Sequence, residues 1–169
     1  EVALEKEMMM DVVIASNVSQ ANEIWQLREN VAEAQQHDGA NIKHDISMPI
    51  SDIPRYIDET SAILREAYPG VRLFIFGHLG DGNLHFNAST PPGISVPDWQ
   101  KKTSEVNDIV HSIVHQFGGS ISAEHGIGRA KHDDLIVYKS AEELSVMRAI
   151  KRALDPESIL NPGKIVTVD

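Results

Sequence analysis

Arg72-Leu73-Phe74-Ile75-Phe76-Gly77-His78-Leu79-Gly80-Asp81-Gly82-Asn83-Leu84-His85-Phe86-Asn87-Ala88 reads as two strands around a turn. Leu73 to Phe76 is an apolar, β-prone run. Leu84 to Ala88 alternates apolar and polar residues as a half-buried strand does. Between them, Asp81-Gly82 predicts a two-residue type I′ turn, whose central positions both need positive φ. That turn pairs Gly80 with Asn83, Leu79 with Leu84, and His78 with His85, and puts Phe76 and Asn87 one step along the same face. Facing Cβ atoms lie only about 4.5–5.5 Å apart, so both imidazoles can reach one ion.

Two neutral imidazoles are half of a site for zinc or another borderline divalent metal. Ser120-Ile121-Ser122-Ala123-Glu124-His125-Gly126-Ile127-Gly128 offers the carboxylate. There a short strand-like run ends in a glycine-rich bend, a place where functional side chains gather. Glu124 and His125 are neighbours, and neighbours on a regular strand point to opposite faces. They share a pocket only if the chain bends between them, which Gly126 allows. Taken alone, paired histidines are more often structural than metal-binding, and the second bend brings the two readings level.

The 169 residues amount to one domain with room for a sizeable core. Fifteen basic against 25 acidic residues give a net charge of −10, which argues against nucleic acid or an anionic membrane surface as the main partner. An anionic substrate needs a local basic pocket in so acidic a chain. With no cysteine, any metal must be held by nitrogen and oxygen, and a reducing compartment such as the cytoplasm fits. No apolar run approaches the roughly 18 residues of a membrane span. The opening Glu1-Val2-Ala3-Leu4 resembles neither a signal peptide nor an initiator region and reads as a cut end.

Around the hairpin, hydrophobic spacing predicts the other elements. Val2, Leu4 and Met8 to Met10 suggest a short helix before an extended Val12-Val13-Ile14. Ser19 caps a helix to about Gln36, with Ile24, Leu27, Val31 and Ala34 as its stripe. Asn41 to Met48 is a strand alternating Ile42, His44 and Ile46 against Lys43, Asp45 and Ser47. A helix from Ser51 or Asp52 carries Ile53, Ile57, Ile63, Leu64 and Ala67. A long helix from Pro97 bears Val106, Ile109, Val110, Ile113, Val114 and Phe117, with His111 and His115 as partly exposed histidines. A short strand is expected around Ile121, and a helix from Ala141 to Leu154 with Leu144, Met147, Ile150 and Leu154 inward. This order implies an α+β fold, an antiparallel-rich sheet with helices on one face. Gly77, Gly80 and Gly82 are no dinucleotide fingerprint, because their loop returns into a strand instead of opening a helix.

GHLGDGNLH (77–85), SAEHGIGRAK (122–131) and LNPGKI (160–165), in that order, resemble the C-terminal domain of the FAD-linked oxidases. Members of that family oxidise D-2-hydroxy acids such as D-lactate, glycolate and D-2-hydroxyglutarate. The resemblance implies a ferredoxin-like cap and a flavin-binding domain ahead of it, so that residues 1–169 form a single C-terminal substrate and metal domain of a longer flavoprotein. It also implies that His78, His85 and Glu124 hold a divalent metal (zinc first, manganese or iron otherwise) and that His125 is the general base. Arg28, in a Trp-x-x-Arg-Glu setting, and Lys43, just before an Asp-x-Ser-x-Pro strand, would clamp the substrate carboxylate. Asn87 would orient the hydroxyl. The partners implied are a small anionic 2-hydroxy acid, the chain's own flavin domain and an electron acceptor, and a homodimer is one expectation for its assembly. Without the resemblance, Arg28 and Lys43 read as solvated residues. Two other readings stand beside it: a stand-alone metal-binding or assembly module without catalysis, and a metallohydrolase using Glu124 or His125 to activate water.

Overall fold

The structure, a computed structural model, describes residues 5, 6, 9–35 and 39–168. It forms two compact units, Glu1–Gly39 and Ala40–Asp169. In the first, α1 (Val18–Glu29) starts on Asn17, whose side chain accepts from the Gln20 N–H, and ends at Asn30 before the single turn of α2 (Val31–Ala34). The single long helix from Ser19 is therefore two pieces with an earlier cap. No residue of α1 is buried, and Ile24 and Leu27 are exposed, so the expected stripe is not covered. Val2, Leu4, Met8 and Gln36 lie outside the described residues.

The second unit runs β1 (Asn41–Ser47), α3 (Ile53–Ala67), β2 (Leu73–His78), β3 (Asn83–Ser89), α4 (Val96–Lys101), α5 (Thr103–Gln116), α6 (His132–Tyr138) and α7 (Ala141–Leu154). The strands form an antiparallel sheet in the order β1-β3-β2. The strand expected around Ile121 is reduced to one bridge, Ser47 to Ser120, on the free edge of β1. Two β–α–β units sharing a sheet, with the last strand shrunk to a bridge, account for the α+β architecture.

Alternation sorts the sheet into two faces. Ile42 and Ile46 of β1, with Leu84, Phe86 and Ala88 of β3, join a core with Ile53, Tyr56 and Leu64 of α3 and Val106, Val110, Ile113 and Val114 of α5. Burying each large side chain contributes about 1.5–3 kcal/mol, and a one-residue slip would turn a whole strand's set outward, so the facing is firmly specified. Lys43, Asp45 and Ser47 with Asn87, His85 and Asn83 occupy the opposite face.

Three expected details differ. The α3 stripe is Ile53, Tyr56, Thr60, Ser61 and Leu64, whereas Ile63 is exposed. The helix from Pro97 is two helices, broken at Lys102, where the Thr103 hydroxyl donates to the Gln100 carbonyl at 2.7 Å. Only Leu144 of the α7 stripe is buried, and Ile150 and Leu154 stand exposed.

The hairpin itself has a longer loop. His78 pairs with Asn83, Gly77 with Leu84 and Phe76 with His85. Leu79–Asp81 makes a 3₁₀ turn and Gly82, at φ +73°, closes it. Asp81 is not at positive φ, so the type I′ turn does not form. Instead the Asp81 carboxylate accepts the Asn83 N–H at 3.1 Å, the self-bonding that suits aspartate to turns. The register slips by two residues, which preserves the face: His78 and His85 become diagonal neighbours with ring centroids 6.0 Å apart.

Candidate metal centre

β1 and β3 set Asp45 directly opposite His85. The Ser120–Gly126 segment then arrives over this part of the sheet, tied to β1 by paired bonds between Ser47 and Ser120 (3.0 and 2.8 Å). At its bend the backbone N–H groups of Ala123, Glu124 and His125 all donate to Oδ2 of Asp45, at 3.1, 3.0 and 2.8 Å. Wrapping successive N–H groups around one anion curls the chain, as in an anion-binding nest. This lets Glu124 and His125, neighbours in sequence, face one spot. Gly126 and Gly128, at φ +76° and +56°, carry the chain onward.

The outcome is a four-residue group. One ligand-capable atom each from Asp45, His85, Glu124 and His125 lies within 4.8 Å of all the others. Oε1 of Glu124 is 3.2 Å from Nε2 of His85 and 3.7 Å from Nε2 of His125. The two rings are near parallel, centroids 5.6 Å apart with a 22° tilt. Their other edges face Asp45, with Nδ1 of His85 3.9 Å from Oδ1 and Nδ1 of His125 3.8 Å from Oδ2. Two imidazoles and a carboxylate converging on one point suit a borderline divalent cation with a position left open for substrate.

Burial lowers the pKa of His85 below the usual imidazole value; Glu124 and Asp45 pull it up, while the His125 and His78 rings push it down. A neutral His85 is the form a metal needs. Burial alone would raise the Asp45 pKa, but the His125 and Glu124 N–H groups, with His125 and Lys131 nearby, outweigh it and keep it below the carboxylate range. The ammonium of Lys131 donates to the carbonyls of Ile121 (2.7 Å) and Asp45 (3.3 Å), tying the incoming segment to β1.

The sequence-derived residues distribute as follows. His85, Glu124 and His125 come together. His78, exposed on the same face, stands outside the four-residue group. Lys43 is exposed directly across from Asn87. Asn87 is buried, and its Oδ1 accepts the His44 N–H at 3.2 Å. Arg28 sits in the last turn of α1, within the first compact unit. Asp45 and Lys131 were missed. Asp45 showed only as one of several polar residues on a strand face, and Lys131 as the end of a glycine-rich motif.

His111 needs a correction. It is buried, 1% exposed, and neither ring nitrogen makes a hydrogen bond among the described residues. Its place beside the α5 stripe is covered by α6, with the Tyr138 ring 6.1 Å away and Asp134 Oδ2 3.4 Å from Nδ1 without hydrogen-bond geometry.

Residues 1–165 match the family model for FAD linked oxidases, C-terminal domain. The chain belongs to this family. Similar proteins include a D-2-hydroxyglutarate dehydrogenase of Xanthomonas citri pv. viticola, 42% identical over 165 residues, covering 98% of this chain and 35% of that protein. A D-2-hydroxyglutarate dehydrogenase of Stutzerimonas stutzeri is 38% identical over 165 residues, with the same shares. A mitochondrial D-2-hydroxyglutarate dehydrogenase of Arabidopsis thaliana is 37% identical over 97% of this chain and 28% of its own length. This FAD-linked oxidase C-terminal domain thus spans about a third of the length of the relatives it matches. No helix among its described residues is long and apolar enough to cross a membrane.

Proposed function

We propose that this domain binds the substrate and a divalent metal in an FAD-dependent oxidoreductase that converts a D-2-hydroxy acid to the 2-oxo acid, with D-2-hydroxyglutarate, named for its relatives, as the first candidate. The observation that carries the reading is the convergence of His85, Glu124 and His125 over the polar face of the sheet. His85 and Glu124 hold the metal, with His78, the diagonal neighbour, as the third ligand. Two groups supply what side chains cannot: a divalent cation supplies positive charge beside the substrate hydroxyl, and FAD, held by another part of the longer protein, supplies the acceptor for two electrons. Nε2 of His125 takes the hydroxyl proton as the general base. FAD, when bound by the longer protein, would accept the α-hydrogen with its electron pair as the C–O bond becomes a carbonyl. Lys43 and Arg28 bind substrate carboxylate, lysine as a point charge and arginine through its planar fork. Asn87, one strand step from His85, orients the substrate.

The test is His125→Asn in the full-length protein, following flavin bleaching by D-2-hydroxyglutarate alongside metal and flavin content. The expected result is a rate about 10²–10⁴-fold lower with both cofactors retained. An unchanged rate removes His125 as the base. Wild-type protein that carries no metal and resists chelators removes the metal from the mechanism.

A further inference from the structure

Asp45 faces the group from beneath, and three features separate it from a metal ligand. First, its Oδ2 is already occupied by the N–H groups of Ala123, Glu124 and His125. Second, its Oδ1 makes no hydrogen bond among the described residues and lies 3.9 Å from Nδ1 of His85. Third, the two carboxylates sit at opposite edges of the same two rings. Glu124 faces both Nε2 atoms, at 3.2 and 3.7 Å, whereas Asp45 faces both Nδ1 atoms, at 3.9 and 3.8 Å. One ion cannot draw on both edges of an imidazole, so a cation held by Glu124 and Nε2 leaves Asp45 to the other edge.

We propose that Asp45 is the positioning residue of this site: Oδ2 holds the bend that sets Glu124 beside His125, and the carboxylate charge keeps the neutral rings of His85 and His125 protonated at Nδ1, so that both Nε2 atoms present lone pairs toward Glu124. This rests on the metal and base roles proposed above. A neutral imidazole has one N–H, and the group facing one nitrogen decides what the other can do. At 3.8–3.9 Å neither Nδ1 contact is a hydrogen bond, so the bias is electrostatic. Glu124 lies nearer the rings, but it is 46% exposed and the cation it holds offsets its charge, whereas Asp45 is 3% exposed and little screened, so in the metal-loaded site Asp45 prevails. The arrangement gives His85 the bare nitrogen a ligand needs and His125 the bare nitrogen a base needs.

Asp45→Asn tests the charge apart from the bend, because an amide oxygen still accepts backbone N–H groups while its NH₂ presents a donor to Nδ1. Asp45→Ala removes both. In the full-length protein with ¹⁵N-labelled histidine at pH 8.5 and saturating zinc, nitrogen NMR reads the tautomers of His85 and His125 directly. The Nδ1–H form is expected to predominate in wild type and to give way to Nε2–H in Asp45→Asn, with a smaller loss of thermal stability than in Asp45→Ala. Chelator competition is expected to show zinc bound about 10–100-fold more weakly by Asp45→Asn. Unchanged tautomers in Asp45→Asn overturn the inference, whether or not zinc binds. Wild-type protein that takes up no zinc but shows the tautomer switch sinks the metal role while leaving Asp45 as the group that sets the rings. Zinc bound equally well by Asp45→Asn and wild type overturns its positioning of the ligand.

Discussion

Lys131 brings a positive charge under the bend. Burial lowers its pKa, against the pull of Asp45 and Asp134, and its Nζ donates to the Ile121 carbonyl at 2.7 Å. Methionine at this position keeps most of the stem's packing but leaves that carbonyl without its charged donor. Hydrogen bonds to charged groups contribute about 1.5–3 kcal/mol, so Lys131→Met is expected to lower the urea-unfolding free energy by that amount with the m-value unchanged. Unaltered stability would mean that water replaces the ammonium at no loss. Neither Lys131 nor Asp45 was legible as a site residue, and the reason is distance along the chain. The N–H partners of the Asp45 carboxylate lie 78 to 80 positions away. Periodicity reports which face a residue takes, and it placed Asp45 correctly opposite Ile42 and Ile46. It cannot report that a distant bend will cover that face. His85, Glu124 and His125 were legible because their motifs combine ligand-type side chains with glycine-rich bends.

At the scale of the hairpin, both strands and the shared face of His78 and His85 could be read directly, but the register could not. The Asp-Gly pair was a local signal for a two-residue turn, and tertiary contact overrode it. Gly82 lies against β1's exit: its carbonyl accepts the Met48 N–H at 3.2 Å, and a Cβ on Gly82 would collide with the Met48 carbonyl oxygen. Two strains therefore coincide there, the positive φ of +73° and the close backbone approach. A non-glycine residue at such a φ costs about 1–3 kcal/mol before any clash. Gly82→Ala is expected to lose at least that much in urea unfolding, whereas Gly80→Ala, whose Cβ would meet nothing within 4 Å, should lose far less. Equal losses in the two variants would mean that the loop does not dock on Met48.

For the whole molecule, pH dependence follows from imidazoles sealed in the second unit. His44 takes its place in the apolar row of β1, as alternation implied, with Nδ1 2.8 Å from the Phe86 carbonyl and Nε2 3.0 Å from the Asn107 side chain. The pKa of His44 falls to about 4, chiefly through burial, against the pull of its Phe86 and Asn107 hydrogen bonds. That of His111 falls to about 3, through burial first and then the charges of His44 and Lys131. Both start from 6.5, so above that pH neither state binds a proton and stability does not change on their account. As pH falls below 6.5 the unfolded chain takes up protons that the folded one refuses, and stability drops until the folded values are reached. Each histidine contributes roughly 1.4 kcal/mol per pH unit in that window, or about 4 kcal/mol for the pair at pH 5, a large share of the roughly 5–15 kcal/mol of a typical domain. Asp134, whose pKa is raised by burial and by Asp108 and Asp133, offsets part of this, since its costly ionised form is relieved as acid is added. The lowered pKa of Asp45 adds loss of the same sign further down, in the carboxylate range. Urea midpoints of the 169-residue chain at pH 7.5 and 5.0 measure the sum. His111→Leu, which replaces an imidazole without hydrogen bonds by an apolar side chain of similar size, is expected to match wild type within about 1 kcal/mol at pH 7.5 and to lose only about half as much at pH 5.0. If the variant lost as much as wild type, His111 would have to reach solvent in the folded state, and the packing of α6 over α5 would be looser than the burial of that ring implies.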